Sequence, residues 1–382
     1  MVSDKYDCAY YGKWHLGDEL VAQHGFDDWI SIEDGIYRPY YSEPEQLELR
    51  SSYHHFLVKS GFPTDKVLKD GAALYSRPYA AAMGENFTKA AFLGKEASRF
   101  LRERKDNDRP FLLSVNMLEP HPPFHGPLND RYEPEAMPVG EAYLVPPGED
   151  APKKKRMCFE RIQREKQRLP LDTEWDWRRV RANYYGLVTQ VDRTLGCILD
   201  ALEESGLADN TVVVFTSDHG EMLGDHALLG KGSFYEESAR IPLMIRVPWL
   251  SREQTMLETP VSQIDLVPTL LDLLGQPIQD HLQGVSRLGV LKGEEDMSDN
   301  HIIIEWNAPD KMGIEGRTVV TADGYKLSLY QDDISELYDL NTDPCELENV
   351  YRNPEHQGRI KEMSELIFAW QKETEDKMVL SN

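Results

Sequence analysis

Three short apolar runs rich in β-forming residues lie along the chain, each closing in a polar, glycine- or proline-bearing stretch. They are PFLLSVNM at 110–117, TVVVFTSD at 211–218 and IPLMIRVP at 241–248, and their length and composition predict buried strands. Between the first two, Leu187, Val191, Leu195, Ile198, Leu199 and Leu202 recur at helical spacing within residues 179–206 and stop at Gly206, which predicts a helix. A helix followed closely by a buried strand points to a parallel sheet with helical crossovers. SQIDLVPTLLDLLG at 262–275 reads as a further helix, with Pro268 in its first turns and Gly275 at its end.

Beyond about residue 298 the pattern changes to HIIIEW, RTVVTADGYKLSLY and SELYDLNTDP, with turn signals at Asp323-Gly324 and from Asn341 to Pro344, then a last helical stretch near 355–377. The expected fold class is α/β: a mostly parallel central sheet sandwiched by helices, with a small C-terminal antiparallel sheet plus helix. The domain boundary is expected in the polar stretch 293–299, giving 1–295 and 296–382. The segment from about 140 to 178, rich in proline and charge, reads as an insertion into the first part. Its basic run, Lys153, Lys154, Lys155 and Arg156, is expected to be solvated, with a substrate-facing lid as the sharper alternative.

Composition is globular, and the net charge of −24 over 382 residues disfavours nonspecific nucleic-acid binding. An anionic substrate must therefore meet locally placed cations. No apolar run approaches the roughly 18 residues of a membrane span, and no basic start precedes an apolar stretch, so neither a span nor an export signal is expected in the chain as given. Cys8, Cys158, Cys197 and Cys345 are scattered, which argues against a disulfide framework or a zinc cluster and leaves the compartment undecided.

The densest chemistry lies in TSDHGEMLGDHALLGKG at 216–232. In open α/β sheets ligands bind beyond the carboxyl ends of parallel strands, and Asp218 and His219 stand just after TVVVF. A carboxylate beside an imidazole can donate oxygen and nitrogen to a divalent cation, and Gly220 is expected to permit a sharp turn. Lys231 follows twelve residues after His219, and His121 sits in EPHPPF just past the first strand. With Lys13 and His15 of GKWHLG, the set offers two cations for an oxyanion and imidazoles to move protons, which suggests phosphate or sulfate ester chemistry.

These segments resemble the sulfatase family of the alkaline-phosphatase-like superfamily. GKWHLG is similar to the second sulfatase signature, HPPF to the loop bearing a substrate-side histidine, SDHGE to a pair of metal ligands, and GKGSFYEESARIPLMIRVP to the segment with a sulfate-binding lysine. YKLSLY and ELYDLNTDPCELENV resemble the small C-terminal subdomain, so the similarity runs from about residue 7 to 355. The resemblance implies that Asp218 and His219 ligate a divalent metal ion, Ca²⁺ first and Mg²⁺ or Mn²⁺ as alternatives. It also implies that Lys13 and Lys231 hold sulfate oxygens, that His121 protonates the leaving oxygen, and that His15 assists breakdown of a sulfated intermediate. The implied partner is a small-molecule or carbohydrate sulfate ester. Many family members have Asn where this chain has His219; iduronate-sulfatase-, choline-sulfatase- and phosphonate-monoester-hydrolase-like relatives resemble it there, which keeps phosphoester activity open.

The family's nucleophile motif, C-x-P-S-R or S-x-P-x-R, whose Cys or Ser becomes formylglycine, does not occur in this sequence, nor does a first strand ending in two aspartates. A chain that has lost its N-terminal part is one expectation, prone to aggregate alone and inactive for want of a nucleophile. The others are a non-catalytic anion-binding relative and a phosphodiesterase or phosphonate hydrolase. Asp27-Asp28 follows GKWHLG instead of ending a first strand, so it is read as structural, and His226 is read as shaping the loop around Lys231.

Overall fold

The computed structural model describes residues 2–36, 38–105, 107–165, 169–250, 253–307 and 315–380. The chain forms two compact units, Met1–Met137 with Trp175–Thr211, and Pro138–Glu174 with Val212–Asn382.

The first unit is built on a parallel sheet. Strand β1 (Asp7–Gly12) is central, with β2 (Asp28–Ser31) on one side, and a later strand, Phe111–Asn116, on the other. Ala9 and Tyr11 of β1 are fully buried, and Tyr10 stacks on Trp29 of β2 with ring centroids 4.8 Å apart. Helix α1 (Ser52–Lys59) is capped by the Ser51 side chain, a short hairpin β3 (Lys66–Val67) and β4 (Ala73–Leu74) follows, and α2 (Arg77–Ala81) leads toward α3 (Lys89–Glu103). The α3 stripe Ala90, Leu93, Ala97 and Leu101 is buried and packs on β1 and on β5 (Phe111–Asn116).

In the second unit, α4 (Lys153–Glu165) occupies the insertion. The chain then returns to the first unit as α5 (Glu174–Glu204), the predicted helix begun five residues earlier than position 179. A Cβ on Gly94 of α3 would come within 2.7 Å of Thr194 of α5, so this glycine lets the two helices touch, and the Ser98 hydroxyl donates to the Cys197 carbonyl at 3.2 Å.

The second unit continues with β6 (Val213–Thr216), α6 (Glu236–Ala239) and β7 (Leu243–Arg246). β6 and β7 pair antiparallel, and they are not buried as predicted: Leu243 is 38 % and Met244 59 % exposed. An apolar run states the strand but not whether both faces are covered, which is where the expectation failed. Helix α7 (Leu266–Leu273) carries Pro268 in its first turn and is followed by Gly275 at positive φ, as the sequence predicted; α8 (Leu288–Leu291) is short.

A four-stranded antiparallel sheet of β8 (His301–Trp306), β9 (Gly316–Thr321), β10 (Tyr325–Tyr330) and β11 (Glu336–Asp339), ordered β11-β10-β9-β8, then packs against α9 (Gln357–Glu373). Val319, Leu327, Leu329 and Leu337 meet Ile360, Met363 and Ile367 there in one core. The architecture is the expected α/β class, with a parallel central sheet and a small C-terminal antiparallel sheet plus helix.

The basic run of the insertion is not solvated throughout. Lys154 and Lys155 are buried with their ammonium groups set over aromatic rings, Lys154 Nζ 3.6 Å from the Trp306 centroid and Lys155 Nζ 3.3 Å from that of Tyr235. Lys155 also pairs with the buried Glu336 at 2.9 Å. Among the described residues, no helix is long and apolar enough to cross a membrane.

Candidate functional site

Lys13 owes its position to the glycine before it. Gly12 ends β1 at φ +120°, and a Cβ there would lie 1.9 Å from the Asn116 carbonyl oxygen of β5. Only glycine allows that approach, and it lets the Lys13 N–H donate to the same oxygen at 2.9 Å. Lys13 thus leaves the carboxyl edge of the parallel sheet beside the end of the strand that runs on to His121.

The turn after Lys13 is braced by Glu19, which sequence reasoning missed. Its fully buried carboxylate accepts from the Trp14 N–H at 3.1 Å and the His15 N–H at 3.0 Å. Burial pushes Glu19 above the usual carboxylate range, against the pull of those two donors. Tyr10 holds the other side by donating its hydroxyl to the Lys13 carbonyl at 2.6 Å. His15 sits at φ 68° with its side chain exposed. Asp28 accepts from the Tyr11 hydroxyl at 2.8 Å, a structural part in keeping with its reading.

His121 follows a cis Glu119-Pro120 bond, and its Nδ1 lies 2.8 Å from the Pro122 carbonyl. It lines a pocket of about 350 Å³ with Lys89, Glu119 and Gln190. Glu33 pairs with Lys89 and, at 2.5 Å, with Arg77. Burial pushes Lys89 down to about 8, against Glu119 and Glu19, and burial pushes Glu119 up. Glu33, Arg77, Lys89 and Gln190 carry no motif; they meet across separations such as the 56 residues between Glu33 and Lys89.

In the second unit, Asp218 and His219 follow β6, with Asp218 Oδ2 3.5 Å from His219 Nε2. Gly220 has no positive φ, so the expected reason for it is corrected: a Cβ would lie 2.0 Å from the Glu237 carbonyl oxygen at the start of α6, and the Gly220 N–H donates to Ser238 at 2.9 Å. The glycine serves close backbone approach, and that contact fixes the turn. His219 Nδ1 lies 2.8 Å from the Gly220 carbonyl, an arrangement that turns Nε2 to any ligand. A carboxylate oxygen and this nitrogen fit a divalent cation as two donors. No group of three His, Cys, Asp or Glu suited to a metal occurs among the described residues.

Lys231 is exposed between Gly230 and Gly232, both at positive φ. The loop before it is closed by Met222 N–H to Gly230 O at 3.0 Å and Gly224 N–H to Leu228 O at 2.8 Å, and Glu221 accepts from the Gly230 N–H. His226, buried beneath, stacks on Tyr235 at 3.6 Å between centroids, and its N–H donates to Ala142 at 2.8 Å. Burial and then Lys155 push its pKa down to about 3 from 6.5.

A group depressed in the fold stabilises it above its unfolded pKa, so the His226 contribution is complete above about pH 6.5 and is lost as pH falls toward 3. Between about pH 7.5 and about pH 5 the protein is expected to lose ~2 kcal/mol that His226→Gln does not lose. Urea unfolding of both proteins at the two pH values checks this; equal losses would reject it.

The geometry therefore brings Lys13 and His15 onto one braced turn, sets His121 on the loop after the adjacent strand, pairs Asp218 with His219, and presents Lys231 from a closed loop. A family model described as Sulfatase matches residues 1–276, and one described as N-sulphoglucosamine sulphohydrolase, C-terminal, matches 224–373. The choline-sulfatase of Rhizobium meliloti is 30 % identical over 91 % of this chain and 65 % of its own length. The multifunctional alkaline phosphatase superfamily protein PehA of Trinickia caryophylli is 30 % identical over 75 % of this chain and 60 % of its own. The chain thus spans about three fifths of the length of these curated relatives.

Among solved structures, the phosphonate monoester hydrolase of Agrobacterium radiobacter superposes with a TM-score of 0.69 at 24 % identity, covering 96 % of this chain and 78 % of that one. BT4656 in complex with its substrate D-glucosamine-2-N,6-O-disulfate gives 0.69 at 23 %, over 98 % and 81 %. At such identities the likeness concerns the fold. The model matching residues 1–276 covers well over half of the sequence, and on that ground the chain belongs to the sulfatase family.

Proposed function

We propose that this protein acts in hydrolysis of sulfate esters, with a sulfated sugar as the substrate class. The observation that carries the reading is the contact of Gly12 with Asn116, because it commits Lys13 to the carboxyl edge of the parallel sheet, where ester-binding cations are needed. Lys13 and Lys231 hold sulfate oxygens and offset the negative charge that grows on them as the ester bond breaks. His121 donates a proton to the leaving oxygen, water is the net acceptor of the sulfuryl group, and His15 moves the proton that this water gives up. Asp218 and His219 are the residues that would hold a divalent ion, Ca²⁺ first among the candidates, which supplies positive charge to the ester when bound. None of these residues is assigned as the attacking group. The division into 1–295 and 296–382 belongs to the same proposal.

Titration of the purified protein with glucosamine 6-sulfate in the presence of Ca²⁺ tests the reading. Saturable binding is expected, weakened roughly tenfold or more in Lys13→Ala and in Lys231→Ala, since each removes a charge-assisted contact worth about 1.5–3 kcal/mol. Binding that neither variant weakens would defeat it. Parallel assays on 4-nitrophenyl sulfate and on a phenylphosphonate ester decide between sulfate hydrolysis and the chemistry named for the Agrobacterium neighbour; ligand binding without turnover of either ester marks a non-catalytic relative.

A further inference from the structure

A second cationic feature lies in the unit that carries Lys231. An open pocket of about 500 Å³ is lined by Lys154, Lys155, Arg161 and Lys231, together with Trp306 and Tyr330, and among the described residues no aspartate or glutamate lines it. In a chain of net charge −24, a wall that keeps Lys154, Arg161 and Lys231 beside a Lys155 already matched by Glu336 is a local reversal of sign that selects anions. Lys154, Lys155 and Arg161 all come from α4, the helix of the insertion.

The wall is prearranged. Asp333 accepts from the Lys153 and Lys154 N–H groups at 2.8 and 3.2 Å, tying the start of α4 down. Lys154 is 5 % exposed and its ammonium rests on the Trp306 ring. Trp306 also bounds the Lys231 turn: a Cβ on Gly232 would lie 3.2 Å from its ring. The buried indole N–H of Trp306 has no hydrogen-bond partner among the described residues.

We infer that this pocket is a substrate-selecting subsite for a sugar that carries a second anionic group, a sulfate or a carboxylate, beside the ester held by Lys231. Lys154 and Arg161 contact the second anion. The insertion helix thereby sets the preference for doubly anionic over singly sulfated sugars. This rests on the reading of Lys231 as an ester-binding residue.

Calorimetric titration at low ionic strength with D-glucosamine-2-N,6-O-disulfate, with glucosamine 6-sulfate, and with a monosulfated disaccharide containing a uronate tests it. The disulfate is expected to bind about tenfold tighter than the monosulfate, and the uronate arm decides whether a carboxylate serves as well as a sulfate. In Arg161→Met, at an exposed position where folding is not in question, the ratio of the two affinities falls; in Lys154→Met/Arg161→Met it falls to about one. Lys231→Ala weakens both ligands instead. A wild-type ratio near one, or a ratio that survives the double substitution, overturns the subsite while leaving the sulfate-ester reading in place. A Lys231→Ala protein that binds both ligands like the wild type overturns that reading, and the subsite with it.

Discussion

Gly12→Ala is expected to destabilise the first unit by roughly 2–5 kcal/mol and to cripple binding of a sulfate ester through Lys13. Two costs add. A non-glycine residue at φ +120° is strained by roughly 1–2 kcal/mol, and a methyl 1.9 Å from the Asn116 carbonyl oxygen cannot be relieved by a rotamer change, because the obstacle is backbone, so overpacking adds roughly 1–3 kcal/mol. The ends of β1 and β5 must separate, and the Lys13 N–H then loses the oxygen it donates to. Gly61→Ala is the matching control, since that glycine also has a positive φ but nothing within 4 Å of its Cβ position. Thermal and urea unfolding of the two variants separate backbone strain from the clash. If Gly12→Ala unfolds like Gly61→Ala, the close approach of the strands is not what holds Lys13.

Much of the fold could be read from apolar periodicity, and the exceptions have physical causes. The strands of the C-terminal sheet and the helix closing on Gly206 announce themselves because one face is apolar and the turns are punctuated by glycine and asparagine. β1 does not: DCAYYG has little aliphatic content, and its burial comes from Tyr10 and Tyr11 packing on Trp29 and on Phe100. For the candidate site, the residues with motifs stood out while the residues that hold them did not. Glu19 acts on backbone N–H groups, a role open to many side chains, and no spacing rule predicts it. Glu33, Lys89 and Arg77 meet only because the sheet brings distant segments together. The basic run on α4 looked like a solvated face because charge alone does not say that an ammonium will sit over an aromatic ring or meet a buried carboxylate.

Lys326→Met is expected to cost the second unit roughly 3–5 kcal/mol, because it removes the cation from a buried ion cluster and leaves its partners unmatched. Lys326 is 1 % exposed and reaches Glu236 at 2.8 Å and Glu346 at 3.0 Å. Burial pulls its pKa down, yet Glu346 and Glu236 more than offset this and hold it above the ordinary lysine value. Glu346 in turn accepts from the Glu236 N–H at 2.7 Å, so the cluster fastens β10 to the first residue of α6. The next residue of that helix, Glu237, presents the carbonyl against which Gly220 is pressed, directly after Asp218 and His219. Loss of Lys326 therefore loosens the proposed metal-holding turn as well as the core. Urea unfolding with and without Ca²⁺ reads both effects: the variant should be less stable in the absence of the ion and should gain less from adding it. Since an intact pair and a pair replaced by apolar side chains are often of similar stability, Lys326→Met/Glu346→Leu should recover part of the loss. A single variant within about 1 kcal/mol of the wild type would show that the cluster does not anchor α6.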